Sequence, residues 1–94
     1  MSHATESEIA DAVEEILFDR PNGKATIAEL IDEIPKRITL SDEDWEQTLT
    51  RPIEPIWQQQ LRNITLHKAM PGNAICDGRL VAIPGGLGLA KTDD

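Results

Sequence analysis

Four side chains within one six-residue stretch carry the groups best suited to recognising a planar ligand. They are Gln58, Gln59, Arg62 and Asn63. A Gln or Asn amide can bond to adenine through two atoms at once, and an Arg guanidinium can do the same with guanine in the major groove of DNA. We therefore take these four side chains as candidate contacts to base edges. The alternative is the polar outer face that any solvated helix shows.

Further candidate contacts lie around this stretch. Arg51, His67 and Lys68 lie near its two ends, where they would be placed to meet phosphates. Arg79 follows an Asp77-Gly78 pair, and we expect it at the tip of a hairpin, where it could enter a minor groove.

The sequence has too few suitably spaced residues for a metal site, a catalytic site or a phosphate-binding loop. A metal site needs several close ligands, and the chain offers His3, His67 and Cys76 without a Cys-x-x-Cys or His-x-x-x-His pair. We interpret Cys76 as a small apolar side chain buried in a strand. The glycines from 85 to 88 precede no helix that could bind a phosphate. We therefore expect no enzymatic activity, no metal and no cofactor.

Three helix starts are visible in the first half of the chain. The pairs with the spacing of a capping box, or of a close variant, are Thr5 with Glu8, Thr26 with Glu29, and Ser41 with Asp44. Apolar residues at helical spacing follow each pair, over about 13 residues for the first helix. We expect the second helix to end at Pro35, and the third to present Trp45 and Leu49 on one face.

A fourth helix is expected to begin between Pro52 and Pro55, because proline is tolerated in the first turn of a helix. Its apolar side is formed by Ile53, Trp57, Gln60, Leu61 and Ile64. Two short apolar runs, 74–76 and 80–83, then flank Asp77-Gly78. This arrangement predicts a hairpin with a two-residue type I′ turn.

These elements predict an α+β chain, mostly α-helical, with about four helices followed by a short β-hairpin wing. This is the order of a winged helix-turn-helix domain, although small α+β domains of other topology share it. We expect a single domain over residues 1–94, with an ordered core at about 5–90 and short flexible termini. No run approaches the roughly 20 apolar residues of a membrane span, and the start lacks a signal-peptide pattern. Together with a single cysteine, this predicts a cytoplasmic protein with no membrane partner.

The stretch from Ala25 to Leu89 resembles the winged-helix domain at the N-terminus of Mrr-type restriction endonucleases. The residues that carry the resemblance are Ile38-Thr39-Leu40-Ser41-Asp42-Glu43-Asp44, Ile56-Trp57, Leu61-Arg62-Asn63 and the glycine-bearing segment Asn73 to Gly86. The resemblance implies a DNA-binding module that is attached to a nuclease domain in the full-length members of the family. We expect no cleavage by this chain, because Glu33 to Lys36 has the wrong spacing for the acidic-x-Lys signature of that nuclease.

The net charge of −8 is unevenly distributed. Residues 1–50 contain four basic and thirteen acidic residues, whereas residues 51–92 contain five basic and two acidic residues. This division argues against indiscriminate coating of DNA and favours a one-sided contact that is weak or assisted by a partner or a second copy of the chain. The alternative is a protein-interaction module that uses its acidic N-terminal half, including Glu14, Glu15 and Asp19.

Overall fold

The computed structural model describes residues 4–49 and 53–90. Three α-helices, three short strands and one 3₁₀ turn follow each other along this part of the chain. In chain order they are α1 (Glu6–Phe18), β1 (Lys24–Thr26), α2 (Ile27–Arg37), the 3₁₀ turn (Glu43–Trp45), α3 (Ile56–Leu66), β2 (Leu80–Ile83) and β3 (Gly86–Leu89). None of the helices in these ranges is long and apolar enough to cross a membrane.

Both predicted capping boxes of the first two helices are confirmed. The Thr5 hydroxyl accepts the Glu8 N–H at 3.1 Å, and the Thr5 N–H donates to the Glu8 carboxylate at 2.9 Å. The same two bonds join Thr26 and Glu29 at 3.1 and 2.9 Å. Each box satisfies N–H groups that would have no partner in the first helical turn, and so fixes where its helix begins. The predicted length of about 13 residues for the first helix is also confirmed.

Helix α2 does not end at Pro35 as the sequence predicted. It continues through Pro35 to Arg37, and the Ile38 N–H still donates to the Ile34 carbonyl at 3.1 Å. Proline removes one helical hydrogen bond. The fully buried Ile34 and the two basic residues in the last turn favour one further turn of helix.

The expected third helix is a single 3₁₀ turn, so the described part of the chain contains three α-helices and not four. The predicted capping interaction between Ser41 and Asp44 is present, because the Ser41 N–H donates to the Asp44 carboxylate at 2.8 Å. That buried carboxylate also accepts the Ala4 N–H at 2.7 Å. After Trp45 the backbone becomes extended at Glu46, which ends the turn.

Helix α3 begins directly after Pro55, one residue later than the interval that the prolines predicted. Trp57, Leu61 and Ile64 are fully buried, as the helical spacing predicted. Ile53 does not join them, because it lies outside the helix and is 55% exposed.

The sheet is antiparallel, with strand order β1-β3-β2. Sequence reasoning missed β1, whose three residues pair with positions 86–88. It also misplaced the hairpin: β2 pairs with β3 around Pro84-Gly85, while residues 74–78 form turns. Gly85 has φ 74°, the conformation that a glycine following proline supplies in a type II turn.

The Asp77-Gly78 pair therefore closes a turn that precedes the hairpin. The Asn73 side chain stabilises this turn, since its carbonyl oxygen accepts the Ile75 and Cys76 N–H groups at 2.7 and 3.1 Å. Cys76 is exposed there, so its interpretation as a buried strand residue was wrong.

The core lies between α1, the other two helices and the sheet. Its largest fully buried side chains include Trp57, Ile9, Ile16, Leu17, Leu30, Ile34, Leu61, Ile64, Leu80 and Leu87. Trp45 covers one end, with its ring edge-to-face against Trp57 at a centroid distance of 5.7 Å and an interplanar angle of 76°. Helix α3 is thus held by its apolar side, and its opposite side is left outside the core.

Candidate nucleic-acid interface

Three of the predicted base-contact residues lie on the side of α3 that faces away from Trp57, Leu61 and Ile64. On a helical wheel, this outer side is formed by Gln59, Arg62, Asn63 and Leu66. Gln58 lies at its margin. Leu66 is 73% exposed in the middle of this face, so the face is amphipathic and not purely polar.

The amides on this face differ in how freely they could bind a ligand. The Asn63 side-chain N–H donates to the Gln60 side-chain oxygen at 3.2 Å. The side chains of Gln58 and Gln59 are half-buried and form no hydrogen bond within the described residues. The donors and acceptors of these two amides therefore remain available.

Arg62 is engaged by a carboxylate of its own chain. Its Nε donates to both oxygens of Glu54, at 2.8 and 3.0 Å. The Glu54 side chain is only 8% exposed, whereas that of Arg62 is 46% exposed. The positive charge is thus largely compensated, although the outer part of the guanidinium still reaches solvent.

Arg79 does not lie at a hairpin tip. It precedes β2, and its Nη1 donates to the carboxylates of Asp11 at 3.0 Å and Glu14 at 2.8 Å, both on α1. The hydrogen bond to Asp11 and the charge of Glu14 raise the pKa of the guanidinium above its ordinary value. The expectation that Arg79 enters a minor groove from a hairpin tip therefore rested on a wrong position.

His67 forms the C-terminal cap of α3, and its Nδ1 lies 2.8 Å from Glu6 Oε1. The other oxygen of Glu6 accepts the Asn73 side-chain N–H at 2.9 Å. Lys68 follows on the exposed side with no ion pair to any described residue. Arg51 lies outside the described residues.

Most of the basic side chains are neutralised within the chain. Of the seven Lys and Arg residues in ranges 4–49 and 53–90, five form ion pairs with carboxylates. They are Arg20, Lys36, Arg37, Arg62 and Arg79. Lys24 on β1 and Lys68 after α3 are the other two, and both are exposed. Of the five cations that the sequence places in residues 51–92, Arg62 and Arg79 are thus engaged within the chain and Lys68 is not, whereas Arg51 and Lys91 lie outside the described residues.

A cleft of about 270 Å³ lies between the start of α1 and the segment that follows α3. Glu6, Ser7, His67, Asn73 and Arg79 contribute its polar walls. The Glu6 carboxylate contacts His67 and Asn73, and Arg79 is engaged by Asp11 and Glu14 of α1. Four of the five polar side chains of the cleft therefore already have partners within the chain. Within the described ranges, no group of three or more His, Cys, Asp and Glu side chains could hold a metal ion.

Comparison of the chain with protein-family models, with curated proteins and with solved structures found no match.

Proposed function

We propose that this chain is a non-enzymatic module of the winged-helix type that makes a weak contact with duplex DNA through α3. The order of its elements supports the proposal, because a short antiparallel hairpin follows a helix whose outer face is free of the core. In helix-turn-helix proteins the recognition helix lies in the major groove and contacts base edges. The resemblance to the Mrr-type N-terminal domain points in the same direction.

The observation that carries the proposal is the pair of uncommitted amides at Gln58 and Gln59. An amide without an internal partner keeps its donor and its acceptor available to a ligand. Two such groups on successive residues suit adenine edges, where Gln bonds through both atoms. Arg62 contributes through the outer part of its guanidinium, beyond the nitrogen that Glu54 occupies.

The small number of uncompensated cations limits the affinity for DNA. Lys24 and Lys68 are the uncompensated cations of the described residues, and the sequence adds Arg51 and Lys91 outside them. Between two and four phosphate contacts correspond to a salt slope of about −2 to −4. A single copy would therefore bind loosely, and useful occupancy would require a partner protein or a second copy on the same duplex.

A titration of labelled mixed-sequence duplex, followed by fluorescence anisotropy at about 50 mM salt, tests the proposal. We expect binding in the micromolar range and a shallow dependence on salt. Absence of binding at tens of micromolar protein would contradict the proposal.

Protein–protein contact is the second candidate function, and one observation refines where it would occur. Glu14 and Asp19 of the acidic N-terminal half are engaged by Arg79 and Arg37. Carboxylates without an ion pair to a described residue concentrate instead at positions 42–46.

A further inference from the structure

The segment between the 3₁₀ turn and α3 folds back on itself as a short ribbon. Gln47 and Pro55 form an antiparallel bridge. On either side of it, the Thr48 N–H donates to the Glu54 carbonyl at 2.9 Å and the Ile56 N–H donates to the Glu46 carbonyl at 2.8 Å. We refer to residues 42–49 and 53–56 as the ribbon loop.

The register of this ribbon sorts its side chains onto two faces. The bond from the Thr48 N–H to the Glu54 carbonyl places Thr48 beside Glu54, next to the bridge of Gln47 with Pro55. Alternate residues of an extended chain point to opposite sides. Thr48 and Glu54 are buried, whereas Leu49 is 96% exposed and Ile53 is 55% exposed. The ribbon loop thus exposes two branched aliphatic side chains, Leu49 and Ile53, to solvent.

The ribbon loop is anchored to the rest of the fold at three points. The buried Asp44 carboxylate holds Ala4 and Ser41. The Glu54 carboxylate holds Arg62 on α3. Trp45 rests edge-on against the buried Trp57 and is itself 47% exposed. The exposed apolar groups therefore sit on a positioned scaffold, which lowers the entropic cost of binding a partner.

The exposed charged side chains on the described residues of the ribbon loop are all acidic. Asp42, Glu43 and Glu46 are exposed and form no ion pair with any described residue. Carboxylates at this density repel other polyanions, so the surface is poorly suited to DNA or to an anionic membrane. A surface with apolar anchors and an acidic surround is complementary to a polypeptide that alternates apolar and basic side chains.

We propose that the ribbon loop is a docking surface for a basic, amphipathic segment of a partner protein. Leu49, Ile53 and Trp45 would cover the partner's apolar side chains, while Asp42, Glu43 and Glu46 would face its Lys or Arg residues. This surface is distinct from the amides of α3, so it adds a protein contact to the proposed DNA contact. Such a partner would also supply the positive charge that this chain lacks.

The test is a titration of the full chain with a short synthetic peptide that alternates Lys and Leu, followed by calorimetry and by tryptophan fluorescence. Two further peptides, one with Glu in place of Lys and one with Ser in place of Leu, separate the charge from the apolar contribution. We expect only the Lys and Leu peptide to bind well, and to blue-shift emission because it covers the half-exposed Trp45. Trp45→Phe should abolish that shift, since Trp57 is already buried.

Two loop variants and two controls make the result specific to the surface. Leu49→Ser with Ile53→Ser, and Asp42→Asn with Glu43→Gln and Glu46→Gln, should each weaken peptide binding by about tenfold or more. The matched controls on α1 are Phe18→Ser, which removes a 68% exposed apolar side chain, and Glu15→Gln, which removes an exposed carboxylate. Both controls should bind like the wild type.

Each alternative outcome overturns the proposal. Equal losses in loop variants and controls would show that the peptide merely senses the net negative charge. Absence of binding, or binding without a change at Trp45, would place any contact elsewhere. Concentration-dependent dimerisation that Leu49→Ser removes would assign the surface to a second copy of this chain. By contrast, loss of peptide binding with DNA binding intact in the loop variants is the expected result, and it would separate this surface from the proposed DNA face.

Discussion

Arg62 on the outer face of α3 donates its Nε to both carboxylate oxygens of Glu54, whose side chain is almost completely buried in the loop that precedes the helix. The residue that looks best suited to reading guanine is therefore also a structural residue. Any experiment that removes it changes both the DNA face and the anchor of the ribbon loop.

We predict that Arg62→Ala lowers the free energy of unfolding by about 1–3 kcal/mol, because it leaves the buried Glu54 carboxylate without its charged partner. The half-exposed position of Arg62 keeps the loss below that of a fully buried pair. Urea denaturation checks the value. The double variant Arg62→Ala with Glu54→Gln should recover part of the loss, and an unchanged melting temperature in Arg62→Ala would contradict the role of this pair.

Gln59→Ala provides the cleaner test of DNA contact. Its side chain forms no hydrogen bond within the described residues, so its removal should change the melting temperature by little. Binding to a duplex that contains the preferred sequence should weaken by about 1–3 kcal/mol, the range for one two-atom base contact. Thr65→Ala, on the same helix, is a control for surface truncation. Equal DNA affinity in the wild type and in Gln59→Ala would exclude a base contact at this position.

The capping box of α2 predicts a contribution to acid stability. The Thr26 N–H donates to Glu29, and this bond, aided by Arg20, holds the pKa of the Glu29 carboxyl below its ordinary value of 4.5. Because the pKa is lower in the folded state, the ionised carboxylate stabilises the fold above the unfolded value. That contribution is lost as the pH falls through the folded-state pKa.

Glu29→Gln retains an oxygen acceptor but removes this titration. The free energy of unfolding of the variant should therefore fall less steeply than that of the wild type below about pH 4.5. Denaturation curves at a series of pH values measure the slope, and Glu15→Gln corrects for the loss of one negative charge. If the free energy of unfolding falls with pH at the same rate in the wild type and in Glu29→Gln, the capping carboxylate does not contribute in this way.

The contact between β1 and β3 predicts that alanine substitutions at Gly86 and at Gly88 destabilise the fold to different extents. A Cβ at position 86 would collide with the Ala25 carbonyl oxygen and lie 2.8 Å from Thr26 Cα. Both are backbone atoms, so neither can move without shifting β1. At Gly88 the nearest atoms are 3.4 Å away, which is ordinary contact.

We therefore expect Gly86→Ala to destabilise the fold by about 3 kcal/mol or more, and Gly88→Ala by less than about 1 kcal/mol. Thermal unfolding of the two variants, recorded side by side, makes the comparison. Similar losses at both positions would mean that β1 does not approach β3 as closely as described.

Local signals in the sequence were sufficient for the starts of α1 and α2 and for the buried side of α3. The capping boxes of Thr5 and Thr26 depend on residues three positions apart, so their spacing can be read directly. The burial of Trp57 and Leu61 follows from helical periodicity in the same way. These features need no knowledge of the rest of the chain.

The missed features depend on contacts between distant residues. Strand β1 has three residues, too few for an alternating pattern, and its partner lies near the other end of the chain. The third helix was predicted from the Ser41–Asp44 pair, whose hydrogen bonds are indeed present. Beyond Trp45, however, residues 46–48 pair with 54–56 instead of continuing as a helix. Asp-Gly and Pro-Gly are both turn sequences, and only strand pairing shows which one closes the hairpin.

The ion pairs of the candidate site also could not be predicted from the sequence. The partners of Arg79 lie 65 and 68 residues away, and Glu54 lies eight residues from Arg62, beyond the range of an i,i+4 pair. A count of charges along the sequence cannot show that these cations are already engaged. The count of charges was therefore correct, but it did not show that Arg62 and Arg79 already have carboxylate partners in the chain.

The pairing of β1 with β3 also has a consequence for synthesis. Helices α1 and α2 rely on neighbouring residues and can form early on the ribosome, but β1 has no strand partner until positions 86–88 have emerged. Until then the unpaired backbone edge of β1 is open to pairing with other chains. Pairing with β3, in which Gly86 fits closely against Ala25, covers that edge. Shortened chains that end before β3 should therefore be exposed to misassembly and to proteases during translation.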